Sequence, residues 1–159
     1  MIKFIGTKQV NAQPMTRGDY NVLRGWKLPG NEDGGDAGYL VEYVDGGKPN
    51  TENFDGYVSW SPKEQFENAY QTSGSLSFGH AIELLKKGNK VARTGWNGKG
   101  VWLGLVEDTY AINFVNTDND ELESYENQRY IVMKTVDEKI VPWLASQTDV
   151  LANDWCEVG

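Results

Sequence analysis

Apolar residues follow two different periods in this chain, and the period changes with position. Phe78, Ala81, Ile82 and Leu85 recur at helical spacing behind Ser77, a helix-capping residue, and Gly88 closes the run. The runs after it are short and strand-like: 91–96, 101–106, 130–135 and 140–143, with 110–115 and 155–158 as further strands. Asn97-Gly98-Lys99-Gly100 joins the first two as a hairpin turn, because Asn-Gly favours positive φ. Asp137-Glu138 joins the third and fourth. Residues 116–128 read as an acidic loop carrying one apolar residue, Leu122, and residues 148–153 have room for one helical turn.

The first half alternates in the same way. Strands are expected at 2–5, 39–44 and 57–60, the second ended by Asp45-Gly46-Gly47. Thr16 is placed to cap a short helix with Asp19 in its first turn. Residues 30–38 form an acidic, glycine-rich loop. Ser61-Pro62-Lys63-Glu64 reads as a capping box with Pro at the first helical position. Its helix should run to about Tyr70 with Phe66, Ala69 and Tyr70 facing inward. The small polar stretch Gln71-Thr72-Ser73-Gly74-Ser75 then separates an N-terminal module, 1–72, from a domain over 76–159. The expected class is α+β: a helix packed on an antiparallel sheet in the C-terminal domain, and a small α+β N-terminal module.

Composition narrows the function. An apolar content of 39% with 12% aromatic residues supports a core. A net charge of −8 argues against a DNA or RNA surface, but not against a small anion held by a few local cations. The single cysteine, Cys156, excludes an internal disulfide and fits a reducing cytosol. No apolar run approaches the roughly 20 residues of a membrane span, and Met1-Ile2-Lys3-Phe4 lacks a signal-peptide pattern. The expectation is a soluble intracellular protein with no membrane partner.

Catalytic chemistry is thin. One His and one Cys do not make a zinc site. Asp118-Asn119-Asp120-Glu121 lacks the central glycine and closing glutamate of a calcium loop. No metal or cofactor is therefore expected. His80 lies on the amphipathic helix without an obvious partner and reads as a surface or rim residue. Phosphate-binding and dinucleotide-binding glycine patterns are absent. Asp149 and Asp154 form the one pair suited to acid–base work. Their plainer reading is that Asp149 orients a turn and Asp154 holds a local hydrogen bond.

Binding chemistry is richer. Trp96, Trp102, Trp143 and Trp155 offer stacking faces, worth roughly 1–3 kcal/mol per base. Asn97, Ser146, Gln147, Thr148 and Asn153 can donate and accept along a base or ribose edge. Gly98 and Gly100 let a ligand approach the backbone. Arg93, Lys99 and Arg129 are candidate partners for phosphate. Against this, Trp102 and Trp143 fall within strand patterns and read as core, while Trp96 suits core or ligand equally.

The segment from about Ser77 to Val158 resembles a small phage domain whose members include the second Thoeris anti-defence family. The residues that carry the likeness are Phe78-Gly79-His80-Ala81-Ile82, Val91-Ala92-Arg93-Thr94-Gly95-Trp96-Asn97-Gly98-Lys99-Gly100, and the run 140–155. The match covers about half the chain. It implies a sponge that binds a cyclic ADP-ribose-type signal made by an immune TIR enzyme, does not degrade it, and so keeps the effector off. Some relatives also capture cyclic oligonucleotides. It further implies homo-oligomers, typically tetramers, with pockets between protomers, acting in the cytoplasm of an infected bacterial host. Carried over by motif, Trp96, Asn97, Gly98 and the turn Ser146, Gln147, Thr148 and Asp149 are the ligand-binding candidates, with Arg93 and Trp102 as weaker ones; Arg129 joins them on its charge alone. No catalytic residue is implied. Residues 1 to about 72 exceed the family pattern as an accessory module. Two alternatives stand beside this reading: a phage structural or interaction module with no small-molecule ligand, and a nucleotide- or glycan-processing hydrolase using Asp149 or Asp154.

Overall fold

The computed structural model describes residues 1–96, 100–107, 112–115, 122–125 and 129–159. They form two compact units, Met1–Gln71 and Thr72–Gly159. Each combines helices with antiparallel strands, the α+β class expected.

Unit 1 is a three-stranded antiparallel sheet in the order β1 (Val10–Pro14), β2 (Gly38–Tyr43), β3 (Tyr57–Pro62), with α1 (Arg17–Leu23) after β1 and α2 (Lys63–Ala69) after β3. Its core is Tyr20, Leu40 and Val58. The strand expected at 2–5 does not form. The register from Val10↔Tyr43 to Pro14↔Tyr39 uses most of β2, so residues 2–5 have no strand to pair with. Ile2, Phe4 and Ile5 are accordingly exposed. Thr16 caps α1 as expected, its hydroxyl accepting from Asp19 N–H at 3.1 Å.

The capping box at Ser61 does not form either. Ser61 stays in β3 opposite Tyr39, and Pro62 occupies the cap position without a side-chain bond. The Lys63 N–H donates to Ala37 O at 3.0 Å, so a backbone carbonyl replaces the side-chain cap. No residue of α2 is fully buried. Ala69 is exposed, and Phe66 stacks between Tyr39 (4.3 Å) and Tyr70 (4.8 Å).

Gly38 allows the close approach of β2 to β3. A Cβ at this position would lie 2.4 Å from the Trp60 indole and 2.5 Å from Ser61 O. Gly38→Ala is therefore expected to destabilise unit 1 by about 2 kcal/mol through overpacking. Hydrogen exchange of the β2 amides in the full chain measures this as a loss of protection.

Unit 2 is built on a five-stranded antiparallel sheet in the order β10-β4-β5-β8-β9. The strands are β4 (Lys90–Arg93), β5 (Trp102–Val106), β8 (Tyr130–Lys134), β9 (Ile140–Pro142) and β10 (Trp155–Val158). Between β5 and β8 in sequence, β6 (Ile112–Val115) and β7 (Leu122–Tyr125) pair as a separate two-stranded sheet. The expected acidic loop thus contains a strand at Leu122. Asp118, Asn119, Asp120 and Glu121 lie outside the described residues, as do Asn97, Gly98 and Lys99 of the expected hairpin turn.

Helix α3 (Phe78–Lys86) packs across β4, β5 and β10. Ser77 and His80 form its capping box: the Ser77 hydroxyl accepts from His80 N–H, and the His80 ring reaches back to Ser77, its Nδ1 2.8 Å from Oγ. His80 therefore has a partner and a structural task. Gly88, at φ +84°, ends the helix where a side chain would be strained. The core is Ala81, Leu84, Leu85, Val91, Leu103 and Trp155, with Leu76 beside them. Leu76 and Trp155 exchange reciprocal backbone hydrogen bonds at 3.1 Å, which fastens the entry to the unit onto β10. Among the described residues, no helix is long and apolar enough to cross a membrane.

Candidate ligand-binding site

Antiparallel pairing of β4 with β10 places Arg93 opposite Trp155. From there the guanidinium reaches two carboxylates. Nε donates to Asp154 Oδ1 at 2.8 Å and Nη2 to Asp154 Oδ2 at 3.4 Å. Nη1 donates to Asp149 Oδ1 at 2.9 Å and to Thr148 O at 3.4 Å. One arginine thereby ties β4 to α4 (Gln147–Val150) and to the residue before β10. Its planar fork suits this task better than a lysine would.

Helix α4 has only four residues and depends on its cap. Ser146 Oγ accepts from Asp149 N–H at 3.2 Å, and Asp149 Oδ2 accepts from Ser146 N–H at 3.0 Å and Ser146 Oγ at 2.6 Å. The Thr148 hydroxyl lies 2.8 Å from Ser146 Oγ. Behind the turn, Trp155 Nε1 donates to Asp149 O at 3.1 Å. Asp149 is thus the joint between the capped turn, the arginine and the core tryptophan.

Charge is fixed at this joint. Partial burial works to raise the Asp149 carboxyl, but bonds from the Ser146 side chain and backbone and from Arg93 outweigh it and hold it below the usual carboxylate range. Asp154 is lowered chiefly by its hydrogen bonds from Arg93, against some desolvation, with Gly95 N–H adding a further bond. Both acids are anions at neutral pH. Arg93 is raised in turn, by Asp154 first and Asp149 second.

The aromatic residues form one cluster around buried Trp155. Phe78 lies 5.4 Å from it, Trp96 5.5 Å and Trp143 6.2 Å between ring centroids, the two tryptophans edge-to-face. Trp96 and Trp143 stand 6.4 Å apart and are half-buried. Both indoles thus keep part of their surface open, and Ser146, Gln147 and Thr148, three to five residues after Trp143, are exposed as well.

The fold therefore gathers Arg93, Trp96, Ser146, Thr148 and Asp149 at one corner, with Gln147 exposed on the same turn. Trp102 is elsewhere. Its neighbour Leu103 points into the core, so Trp102 takes the opposite face of the sheet, where Lys90 Nζ lies 4.7 Å from its ring. Arg129 lies beyond the far end of β5, exposed and 3.6 Å from Glu107. Arg93 is engaged by carboxylates, where the sequence suggested a phosphate. Asp154, Trp143, Trp155 and Phe78 complete the corner. Asp154 showed its role only through the β4–β10 register, which no local motif encodes.

A family model described as the Thoeris anti-defense 2-like domain matches residues 76–158, nearly all of unit 2. The chain belongs to the Thoeris anti-defense 2-like family. A relative named Thoeris anti-defense 2, from Bacillus phage SP01, is 44% identical over 81 residues, which span 50% of this chain and 91% of that protein. The Thoeris anti-defense 2-like segment contains α3, the five-stranded sheet and the whole corner around Arg93. Unit 1 lies outside it. Family membership supports a phage anti-defence role.

Proposed function

We propose that unit 2 binds and sequesters a cyclic ADP-ribose-type immune signal and leaves it intact, with cyclic oligonucleotides as a second ligand class. The observation that carries this reading is the state of the two acids. All four of their oxygens are taken, by Arg93 and Ser146 at Asp149 and by Arg93 and Gly95 at Asp154, so the corner offers indole surface, hydroxyls and backbone to a ligand but neither a carboxylic proton nor a free carboxylate base. That is the chemistry of holding, not of turnover. The relative's name supports an anti-defence setting; on this reading the protein acts in the cytoplasm of the infected bacterium.

The reading extends to assembly. Leu144 and Leu151 flank the polar turn and are 92% and 74% exposed, which favours a second copy covering this edge. Of the two arginines expected near phosphate, Arg93 is engaged and Arg129 stands at the far end of β5. Arg129 would meet a ligand beside Trp96 only from a neighbouring protomer. A homo-oligomer, of tetrameric size on the family pattern, provides that geometry.

The test mixes purified protein with cyclic ADP-ribose isomers and cyclic dinucleotides, filters off the protein, and measures what stays free. The bound fraction is then released by heat and identified by mass spectrometry. Depletion with intact release is expected. Altered products would point to a hydrolase, and no depletion to an interaction module. Trp96→Ala is expected to weaken binding roughly tenfold to a hundredfold, the equivalent of one stacked base, as measured by calorimetric titration of the folded variant.

A further inference from the structure

Unit 1 contains a cavity of about 440 Å³ that the anti-defence segment does not touch. Its size falls within the roughly 300–1,000 Å³ of small-molecule sites. Trp26, Lys27, Tyr20, Trp60, Arg17 and Glu32 are among its lining residues. We propose that this cleft is a second binding site, for a planar aromatic anion of nucleoside-monophosphate size.

The first argument is the placement of Trp26. A tryptophan that is 54% exposed calls for an explanation, and here the backbone fixes it in position. Helix α1 ends in a Schellman motif: Gly25 N–H donates to Val22 O at 3.0 Å, and Trp26 N–H to Asn21 O at 2.8 Å. Gly25 supplies the required left-handed backbone, at φ +64°. Trp26 is thus set at the residue after the glycine, on the rim of the cleft. Arg24 lies over its ring at 4.4 Å, and Tyr20 meets it edge-on at 6.1 Å. A ring held this way keeps area open for stacking at little entropic cost.

The second argument is charge. Arg17, Arg24 and Lys27 fall in one stretch of an otherwise acidic chain. Arg17 is paired with Glu32, which also lines the cleft, and lies over Trp60 at 5.0 Å. Lys27 has no ion-pair partner among the described residues and stands next to Trp26. The cleft therefore combines an open indole, an unpaired ammonium and a carboxylate that can accept from an amino or hydroxyl group. Stacking selects a flat ring, and Lys27 selects a negative group at its edge.

The probe is AMP, titrated into the full chain and followed by indole N–H signals in NMR, with Trp26 identified by its loss in Trp26→Ala. Adenosine and ribose 5-phosphate serve as the half-ligands. AMP is expected to saturate and to shift Trp26, with each half-ligand at least tenfold weaker. Trp26→Ala and Lys27→Glu, both at exposed positions, should each weaken AMP at least tenfold. The proposal is overturned if AMP does not saturate, if ribose 5-phosphate binds as well as AMP, or if both variants bind AMP unchanged. Binding lost in Trp96→Ala but kept in Trp26→Ala would place AMP in unit 2 and equally overturn it. Failure here leaves the signal-capture reading of unit 2 intact, since that is judged by cyclic ligands and Trp96.

Discussion

Trp155→Ala is expected to remove about 4 kcal/mol of stability from unit 2. The indole is completely buried and is ringed by Phe78, Trp96 and Trp143. Its Nε1–H also donates to Asp149 O, so truncation opens a void and removes a hydrogen bond together. Domains have total stabilities of roughly 5–15 kcal/mol, so this loss is a large share of a typical margin. Calorimetry or near-ultraviolet dichroism of the full chain should show the unit 2 transition falling by about 20 °C. Trp155→Phe should recover part of it. A fall of less than about 5 °C would mean that the surrounding rings collapse into the space, and that Trp155 is not the centre of this core.

Arg93→Gln is expected to cost about 3 kcal/mol, because charge-assisted bonds are lost and two part-buried carboxylates are left without their shared cation. The arginine is 21% exposed, so the effect should lie well above that of a surface pair and short of a fully buried one. The same network sets a pH dependence. Asp149 and Asp154 titrate lower in the folded protein than in the unfolded chain. Their contribution is complete above the ordinary aspartate pKa near 4 and is lost as pH falls below it. Urea midpoints measured between pH 3 and 7 should decline in the parent below about pH 4, and less steeply in Arg93→Gln. An unchanged midpoint at neutral pH combined with weakened signal binding would return Arg93 to the phosphate-facing role suggested by sequence.

Much of unit 2 is legible in the sequence because its signals are local. Ser77 and Gly88 bracket α3, apolar spacing gives its buried face, and the strands fall within a few residues of their expected places. The polar turn from Ser146 was also visible as a turn, since Ser146 and Asp149 carry their own capping chemistry. The failures share one cause. Residues 2–5 look like a strand but have no partner in register, and Ser61 looks like a cap but is held in β3 opposite Tyr39. At the site, stacking residues can be counted from sequence, but not how many are used by one another. Trp96 and Trp143 pack edge-to-face against Trp155, and Trp102 leaves for the other face by simple alternation. Arg93 met its carboxylates across a span of about sixty residues, 61 to Asp154 and 56 to Asp149, which only strand register could close.

That span has a further consequence. Leu76 is bonded to Trp155, and Ser73 accepts from Glu157 N–H across 84 positions, so unit 2 closes by joining its first segment to its last strand. Contacts this distant form late, after the entropy of a long loop has been overcome. A partly folded chain can hold α3 against β4 while Arg93 still lacks Asp149 and Asp154. On the proposed reading the protein acts by number and not by turnover, so a copy that has not closed this ring captures nothing. The quantity that sets its effect in an infected cell is then the count of fully closed molecules, and folding yield becomes part of potency.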